Sequence, residues 1–464
     1  MLRFIVNDQE VSTESSPAMP AVDYLRGDRR LHGVRVGCRE GDCGACAVLV
    51  GEVVGDQMRY EVLASCLTPL ANVHGKHLVT VEGLNLDELT PVQQAFVDER
   101  AIQCGFCSPG LVVSTAAFYL GERPLTRDNA ISALAGNICR CTGYKSIERA
   151  VGVIVAELDG IDANDQTNWL IDRQFLPPYF ADIPARLAAL DAEPLIGDTD
   201  AELLVAGASD VMVQRPEEVA DTAAIRWLNA SPELKQIRVD GDVCTVGAAV
   251  TFNRLRASAE LRAMFPDLEE YLHLSGSDLV RNMATVGGNI VNGSPIGDVS
   301  IFFTAIGATV LLSKDGQTRE VPCKDFFVGY KTTAIESGEL MEGVRFRVPD
   351  DKTRYSFEKI SKRRHLDMAV VNSAMRVQLS GRRIEWVSYA VGGLGSTIRY
   401  MADTVDFLTG RTIDNMTFHQ ASEIAQGEIT PRSRPEYKRL LVRQQLFLHL
   451  QRIAPDALTP EVLR

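Results

Sequence analysis

No Gly-x-Gly-x-x-Gly run occurs anywhere in the 464 residues, so a dinucleotide site of the Rossmann kind is not supported. No uninterrupted apolar stretch reaches the roughly 18 residues that a membrane-crossing helix needs. The opening MLRFIVNDQEVS reads as a strand and turn and lacks the apolar core of a secretory signal. Long lysine and arginine blocks are also missing, and the net charge is −13, which argues against a nucleic-acid partner. Together these absences predict a cytoplasmic protein with neither a membrane nor a nucleic-acid partner. A chain of 464 residues, 45% of them hydrophobic, has enough apolar material to fill several cores.

What the chain does have is cysteine in a pattern. Eight of its ten cysteines fall into two sets, Cys38, Cys43, Cys46 and Cys66, then Cys104, Cys107, Cys139 and Cys141. The first set, in GCREGDCGACAVLV, reads C-x4-C-x2-C with a distal fourth cysteine, the spacing of plant-type [2Fe–2S] ligation. The second, QCGFCSP followed by NICRCTGY, reads C-x2-C with a distant C-x-C. Each set supplies four thiolates, enough for one cluster. A disulfide framework belongs instead to short secreted domains. Structural zinc also accepts four thiolates at such spacings and stays open as an alternative. Gly37, Gly41 and Gly44 favour a cluster, because small residues let the backbone wrap it and aim N–H groups at its sulfurs. Free thiolates suit a reducing compartment, and Cys244 and Cys323, isolated in strand-like runs, read as buried core.

Residues 1–85 carry short β-like runs at 3–6, 46–50 and 77–81 around the first cysteine loop. Residues 86–160 show helix signals instead, with Thr90-Pro91, Ser108-Pro109 and Thr126 as cap or first-turn residues. A proline-rich stretch, 161–194, reads as a connecting segment crossing the surface of its neighbours. Beyond it, strand-like runs alternate with glycine-rich turns. LLVAGASDV places Gly207, Ala208 and Ser209 straight after an apolar strand, and RNMATVGGNIVNGSPIGD adds Gly287, Gly288, Asn289, Ser294 and Asp298. Such turns can bring backbone N–H groups to a pyrophosphate, with an acidic residue accepting from a ribityl or ribose hydroxyl. They can equally be ordinary tight turns. The basic run Lys362-Arg363-Arg364-His365 can attract the NAD pyrophosphate or be a solvated loop, and YKRLLVRQQLFLHL has the spacing of an amphipathic packing helix.

Taken together, GCREGDCGAC, QCGFCSPG, NICRCTGY, ATVGGNI and SPIGD stand in the order and spacing of one family. The chain resembles the small iron–sulfur and FAD-binding subunits of bacterial xanthine dehydrogenases, within the molybdenum hydroxylases. The resemblance covers nearly the whole length and implies an α+β multidomain fold. Residues 1–85 would form a β-grasp plant-type ferredoxin domain and 86–160 a helical-bundle [2Fe–2S] domain. After the linker 161–194, residues 195–345 would form a vanillyl-alcohol-oxidase-type FAD domain and 346–464 an α+β C-terminal flavoprotein domain. By the same likeness, flavin contacts fall on Leu204, Val205, Ala206, Gly207, Ala208, Ser209, Asp210 and Val211, then on Thr285, Val286, Gly287, Gly288 and Asn289. Asp298 matches the family's acidic residue, Lys359 a lysine near the flavin, and Met341 an apolar contact. One departure is Ser275, where animal relatives place an aromatic residue.

The likeness also implies a division of labour. A molybdenum cofactor on a larger partner chain oxidises hypoxanthine or xanthine, two [2Fe–2S] clusters carry the electrons singly, and FAD passes them in pairs to NAD+. No molybdenum-binding domain is visible here, so the implied assembly is an α2β2 heterotetramer with the purine site on the other chain. Equivalent subunits serve aldehyde, nicotinate or aromatic acyl-CoA hydroxylases, and a non-catalytic iron–sulfur electron carrier or sensor is a third reading.

Overall fold

The structure, a computed structural model, describes every residue except 56, 163, 199, 202, 364, 365 and 464. The chain divides into two compact units, residues 1–231 with 276–284, and residues 232–275 with 285–464.

The first unit opens with a five-stranded sheet in the order Gln9–Thr13, Leu2–Val6, His77–Val79, Ala47–Val54, Gln57–Ala64. Leu2–Val6 runs parallel to His77–Val79 and the remaining pairs are antiparallel. The helix Ala21–Gly27 buries Ala21, Val22, Tyr24 and Leu25 among Phe4, Val48 and Leu78, which completes the expected β-grasp. Gln9–Thr13 escaped notice in the sequence because only Val11 of its five residues is buried, leaving little alternation to detect.

Four helices follow, Pro91–Asp98, Ser108–Tyr119, Arg127–Ala133 and Lys145–Glu157. Thr90 and Gln93 cap the first reciprocally, each side chain bonding the other's backbone N–H at 3.3 and 2.9 Å. Thr126 caps the third. The second starts at Ser108, so its N-cap is Cys107, a cysteine of the second set. This helix is buried along most of its length, and Gly110 on it lies where a Cβ would come within 2.2 Å of the Gly44 carbonyl oxygen.

Residues 161–194 cross the ferredoxin-like sheet as a packed strap with helices Gln166–Asp172 and Ile183–Ala188. Tyr179 and Phe180 set their rings 5.9 and 5.5 Å from His77. Burial pulls the His77 pKa down to about 4. The neutral ring accepts from the Tyr60 hydroxyl through Nδ1 and donates from Nε2 to the Asn7 carbonyl, at 2.8 and 2.9 Å. The unit ends with the parallel strands Leu203–Val205 and Ile225–Trp227 and takes in residues 276–284 from later in the sequence. Within that segment Asp278 bridges the buried Arg281 and Arg123 at 2.8 and 2.5 Å.

The second unit holds a five-stranded antiparallel sheet in the order Gln317–Pro322, Thr309–Lys314, Leu340–Arg347, Val243–Gly247, Ile237–Asp240. Phe265, Phe302 and Tyr355 form an aromatic core with ring centres 5.1–5.4 Å apart. A four-stranded antiparallel sheet, Thr353–Ile360, Val371–Ser380, Arg383–Gly392, Arg399–Tyr400, comes next. Pro435–Ile453 buries Leu441, Val442, Leu446, Phe447 and Leu450 in the core with that sheet, so the amphipathic C-terminal run is a packing helix. Cys244 and Cys323 are buried core, as their settings suggested. No described helix is long and apolar enough to cross a membrane.

Gly110 and Gly152 offer opposite outcomes for one substitution. Alanine outranks glycine in a helix interior by about 1 kcal/mol, and at Gly152 the nearest atom to an added Cβ outside its own helix, Arg127 Nε, stands at 3.5 Å. Gly152→Ala is therefore expected to raise stability by roughly 0.5–1 kcal/mol. At Gly110 the overlap with the Gly44 oxygen reverses the sign, because overpacking costs about 1–3 kcal/mol. Denaturant midpoints of the two variants check this, and a Gly110→Ala chain as stable as its parent would contradict the close approach.

Candidate functional site

The first cysteine set lies on an irregular loop between the helix Ala21–Gly27 and the strand Ala47–Val54, with Cys66 just past Gln57–Ala64. Its thiols come in pairs, Cys38 with Cys43 and Cys46 with Cys66. The hydrogen bond from Cys43 draws Cys38 down to about 5 and pushes Cys43 up. Cys66 does the same to Cys46, so each pair holds one sulfur as an acceptor. Glu40 N–H points at Cys38 Sγ from 3.3 Å, Asp42 N–H bonds the same sulfur, and Gly41 N–H bonds Cys66. At Gly37 a Cβ would come 2.8 Å from Cys43 Sγ, so glycine leaves the sulfur its space.

The second set repeats the pairing. Cys104 and Cys141 place their sulfurs 3.6 Å apart, and Cys107 bonds Cys139. Tyr144, in a left-handed conformation with φ 68°, accepts the Cys139 N–H through its phenol oxygen at 3.0 Å. Cys104 and Cys141 are exposed, and Phe106, Ile138 and Tyr144 leave apolar surface exposed in the same stretches of chain. A [2Fe–2S] group has two irons, each taking two thiolates, and two thiol pairs per set suit it. A single zinc asks for four sulfurs around one point, whereas among the described residues no three metal-ligating side chains converge in that way.

The two sets meet through the backbone. Ile138 N–H donates to the Cys43 carbonyl at 2.9 Å, and Asn137 Nδ2 donates to the Gly44 carbonyl at 3.0 Å. Gly44 adopts φ +66°, and a Cβ there would stand 2.4 Å from the Gly136 oxygen. Asn137 and Ile138 open the NICRCTGY motif, whose spacing announced its cysteines but not this contact.

Among the flavin candidates of the first unit, Leu204 and Val205 close a strand, Val211 opens the short helix Val211–Gln214, and Ala206 to Asp210 form the turn. Ala208 takes φ +67°, Ser209 is half-buried and Asp210 exposed. Gly207 is pressed against Met283 so closely that a Cβ would stand 1.6 Å from its carbonyl oxygen.

In the second unit Thr285 caps the helix Val286–Val291, its Oγ1 accepting from Gly288 N–H at 3.1 Å, while Gly287 packs against Ala248. Asn289 Oδ1 accepts from Ser300 N–H and Oγ at 3.0 and 2.9 Å. Asp298 and Lys359 come together as a part-buried ion pair of 2.7 Å, and Lys359 Nζ also donates to the Leu274 carbonyl at 2.9 Å. Ser275 has a role of its own, its hydroxyl donating to Asp298 Oδ2 at 2.9 Å, while Asn372 Nδ2 donates to Oδ1 at 2.6 Å. Three of the carboxylate's roughly four acceptor sites are thus occupied by the protein itself. Asn372 was missed, although an asparagine after the apolar Ala369-Val370-Val371 is a signal of a partnered buried amide. Met341 is buried on its strand opposite Leu312. Of the basic run 362–365, Arg364 and His365 lie outside the described residues, and Arg363 faces Asp367 at 3.8 Å.

Comparison with known proteins matches four successive family descriptions. Residues 4–71 match a 2Fe-2S iron-sulfur cluster binding domain and 80–152 a [2Fe-2S] binding domain. Residues 184–350 match the FAD binding domain in molybdopterin dehydrogenase and 356–453 the CO dehydrogenase flavoprotein C-terminal domain. Xanthine dehydrogenase of Drosophila pseudoobscura pseudoobscura is 29% identical over 522 residues, covering 96% of this chain and 39% of that protein. Aldehyde oxidase 1 of Rattus norvegicus is 27% identical with the same coverage, 96% and 39%. The chain therefore spans about two fifths (39%) of the length of these curated relatives. Among solved structures, carbon monoxide dehydrogenase from Hydrogenophaga pseudoflava, lacking the Mo-pyranopterin moiety of its cofactor, superposes with TM-score 0.51 at 26% identity. That likeness covers 53% of this chain and 88% of the other.

The Asp298–Lys359 pair is 12% and 5% exposed. Removing Lys359 leaves the part-buried Asp298 without its counter-charge, though still hydrogen-bonded to Ser275 and Asn372, a loss of about 1–3 kcal/mol. Lys359→Met alone is expected to destabilise by that much, and Lys359→Met combined with Asp298→Asn to recover part of it in a double-mutant cycle. A single variant within roughly 0.5 kcal/mol of the parent would show the pair to be solvated.

Proposed function

We propose that this chain, which has the two [2Fe–2S] domains, the FAD domain and the flavoprotein C-terminal domain of the molybdenum hydroxylases, is the electron-transfer subunit of a xanthine dehydrogenase. Electron transfer by way of 2Fe–2S groups and FAD is the general activity. The finer reading adds purine oxidation on a larger molybdenum-binding chain, NAD+ as the acceptor and an α2β2 assembly. The observation that carries it is the presence, in one chain with an FAD domain, of two paired-thiol sets joined by the Ile138 to Cys43 hydrogen bond.

In this reading Cys38, Cys43, Cys46 and Cys66 hold one cluster, and Cys104, Cys107, Cys139 and Cys141 the other. When bound, the clusters supply one-electron steps and FAD supplies two-electron chemistry with NAD+. The chain's own residues do the holding. Amides of Glu40, Asp42 and Gly41 offset thiolate charge. The turn 206–210 offers N–H groups to the flavin's pyrophosphate, and in the second unit Asp298 keeps an acceptor site for a hydroxyl. The exposed edge at Cys104 and Cys141, with Phe106, Ile138 and Tyr144 about it, is the face this reading gives to the molybdenum chain. The likeness to aldehyde oxidase 1 supports a second reading, the same electron path serving an aldehyde hydroxylase.

The purified chain is expected to hold about four irons, about four acid-labile sulfides and one non-covalent FAD. Alone it should oxidise NADH with an artificial acceptor and leave xanthine untouched. Adding the molybdenum chain should give purine-dependent NAD+ reduction, which Cys43→Ser interrupts while NADH-to-flavin transfer persists. Zinc in place of iron would sink the cluster reading. A reconstituted complex that turns over an aldehyde and ignores xanthine would move the function to the second reading.

A further inference from the structure

Asn72 sits six residues after Cys66, in the 3-10 turn Leu70–Val73 of the ferredoxin-like lobe. Its side chain is buried, and Nδ2 donates to the Ala206 carbonyl at 2.9 Å across 134 residues of sequence. Ala206 O and Gly207 N–H belong to one planar peptide and point in opposite directions. Whatever holds the oxygen therefore aims the N–H the other way.

One more bond fixes the surroundings of that peptide to the same lobe. Asn282 Nδ2 donates to the Val62 carbonyl at 2.9 Å, and Met283 Sδ lies 3.7 Å from Thr68 Oγ1, whose hydrogen goes to the Ala64 carbonyl. Met283 is the residue against which Gly207 is pressed. Asn72 Oδ1 meanwhile is buried with no hydrogen-bond partner. A leucine of similar volume would fill the site without that penalty, so packing alone does not account for an asparagine here.

We infer that Asn72 is a positioning residue for the flavin: through the Ala206–Gly207 peptide it aims the loop's amide hydrogens at the pyrophosphate of FAD. This makes the flavin's affinity depend on the lobe that carries Cys66. The inference rests on the reading that residues 204–211 take the flavin, and it adds a residue outside the FAD-binding sequence to that site.

The test is titration of FAD into the full chain, clusters intact and flavin stripped, with Asn72→Leu, Asn72→Asp and Asn72→Gln. Losing the donor is expected to weaken FAD roughly five- to hundredfold in the Leu and Asp variants. Gln, which keeps the N–H, should recover part of the loss, and iron and sulfide content should not change. A packing role predicts the reverse, with near-isosteric Leu and Asp binding like the parent, and that result overturns the inference. If Leu disturbs the fold, Asp, which differs by one group, carries the comparison. Asn289→Leu serves as the reference: affinity lost there and kept in all Asn72 variants sinks this inference alone. Affinity indifferent to both sites would strike the flavin assignment beneath it.

Discussion

The hydrogen bond from Ile138 N–H to the Cys43 carbonyl is the point on which the first unit turns. It joins a residue of one thiol set to the neighbour of a cysteine of the other, and it forms only where two backbones touch. Gly44 and Gly110 clear the space, and Asn137 ties the same place a second time. A side chain at Gly44 or Gly110 would wedge the loops apart. The rest follows from that closeness: a buried helix capped at Cys107, the strand Gln57–Ala64 leading to Cys66, and a Cys38 sulfur met by backbone amides.

The second unit depends on a constraint of another kind, a charge pair kept from solvent. Asp298 receives Lys359, Ser275 and Asn372, which come from three separate parts of the chain. Asn372 also donates to the Ile296 carbonyl at 3.1 Å, so the SPIGD turn is held by both its backbone and its carboxylate. A carboxylate so surrounded is rigid, and a rigid acceptor favours one geometry of bound hydroxyl over others.

Much of this was legible in the sequence, for identifiable reasons. Cysteine spacing survives as a local signal because ligands on one loop must be a few residues apart, and Thr90-Pro91 is a helix start written in two adjacent residues. The C-terminal helix showed in its periodicity. What stayed hidden were single polar residues whose partners lie far along the chain. Asn72 reaches Ala206 and Asn372 reaches Asp298, and nothing adjacent in sequence names either partner. Ser275 looked like a missing aromatic ring and is instead a hydroxyl donor. The proline-rich 161–194 looked like a simple connector because its strap contacts, Tyr179 and Phe180 on His77, are equally remote.

Residues 276–284 belong to the first unit although the chain reaches them only after beginning the second. They lie against both thiol loops, Val280 beside Gly41 and Leu279 beside Gly136, and they supply the carboxylate that Arg123 needs. A chain made from its N-terminus exposes all eight thiols by Cys141, yet the piece that packs over their loops follows only at residues 276–284. Synthesis therefore contains an interval in which both cysteine loops are complete but not yet covered, before Asp278 arrives and pairs with Arg123.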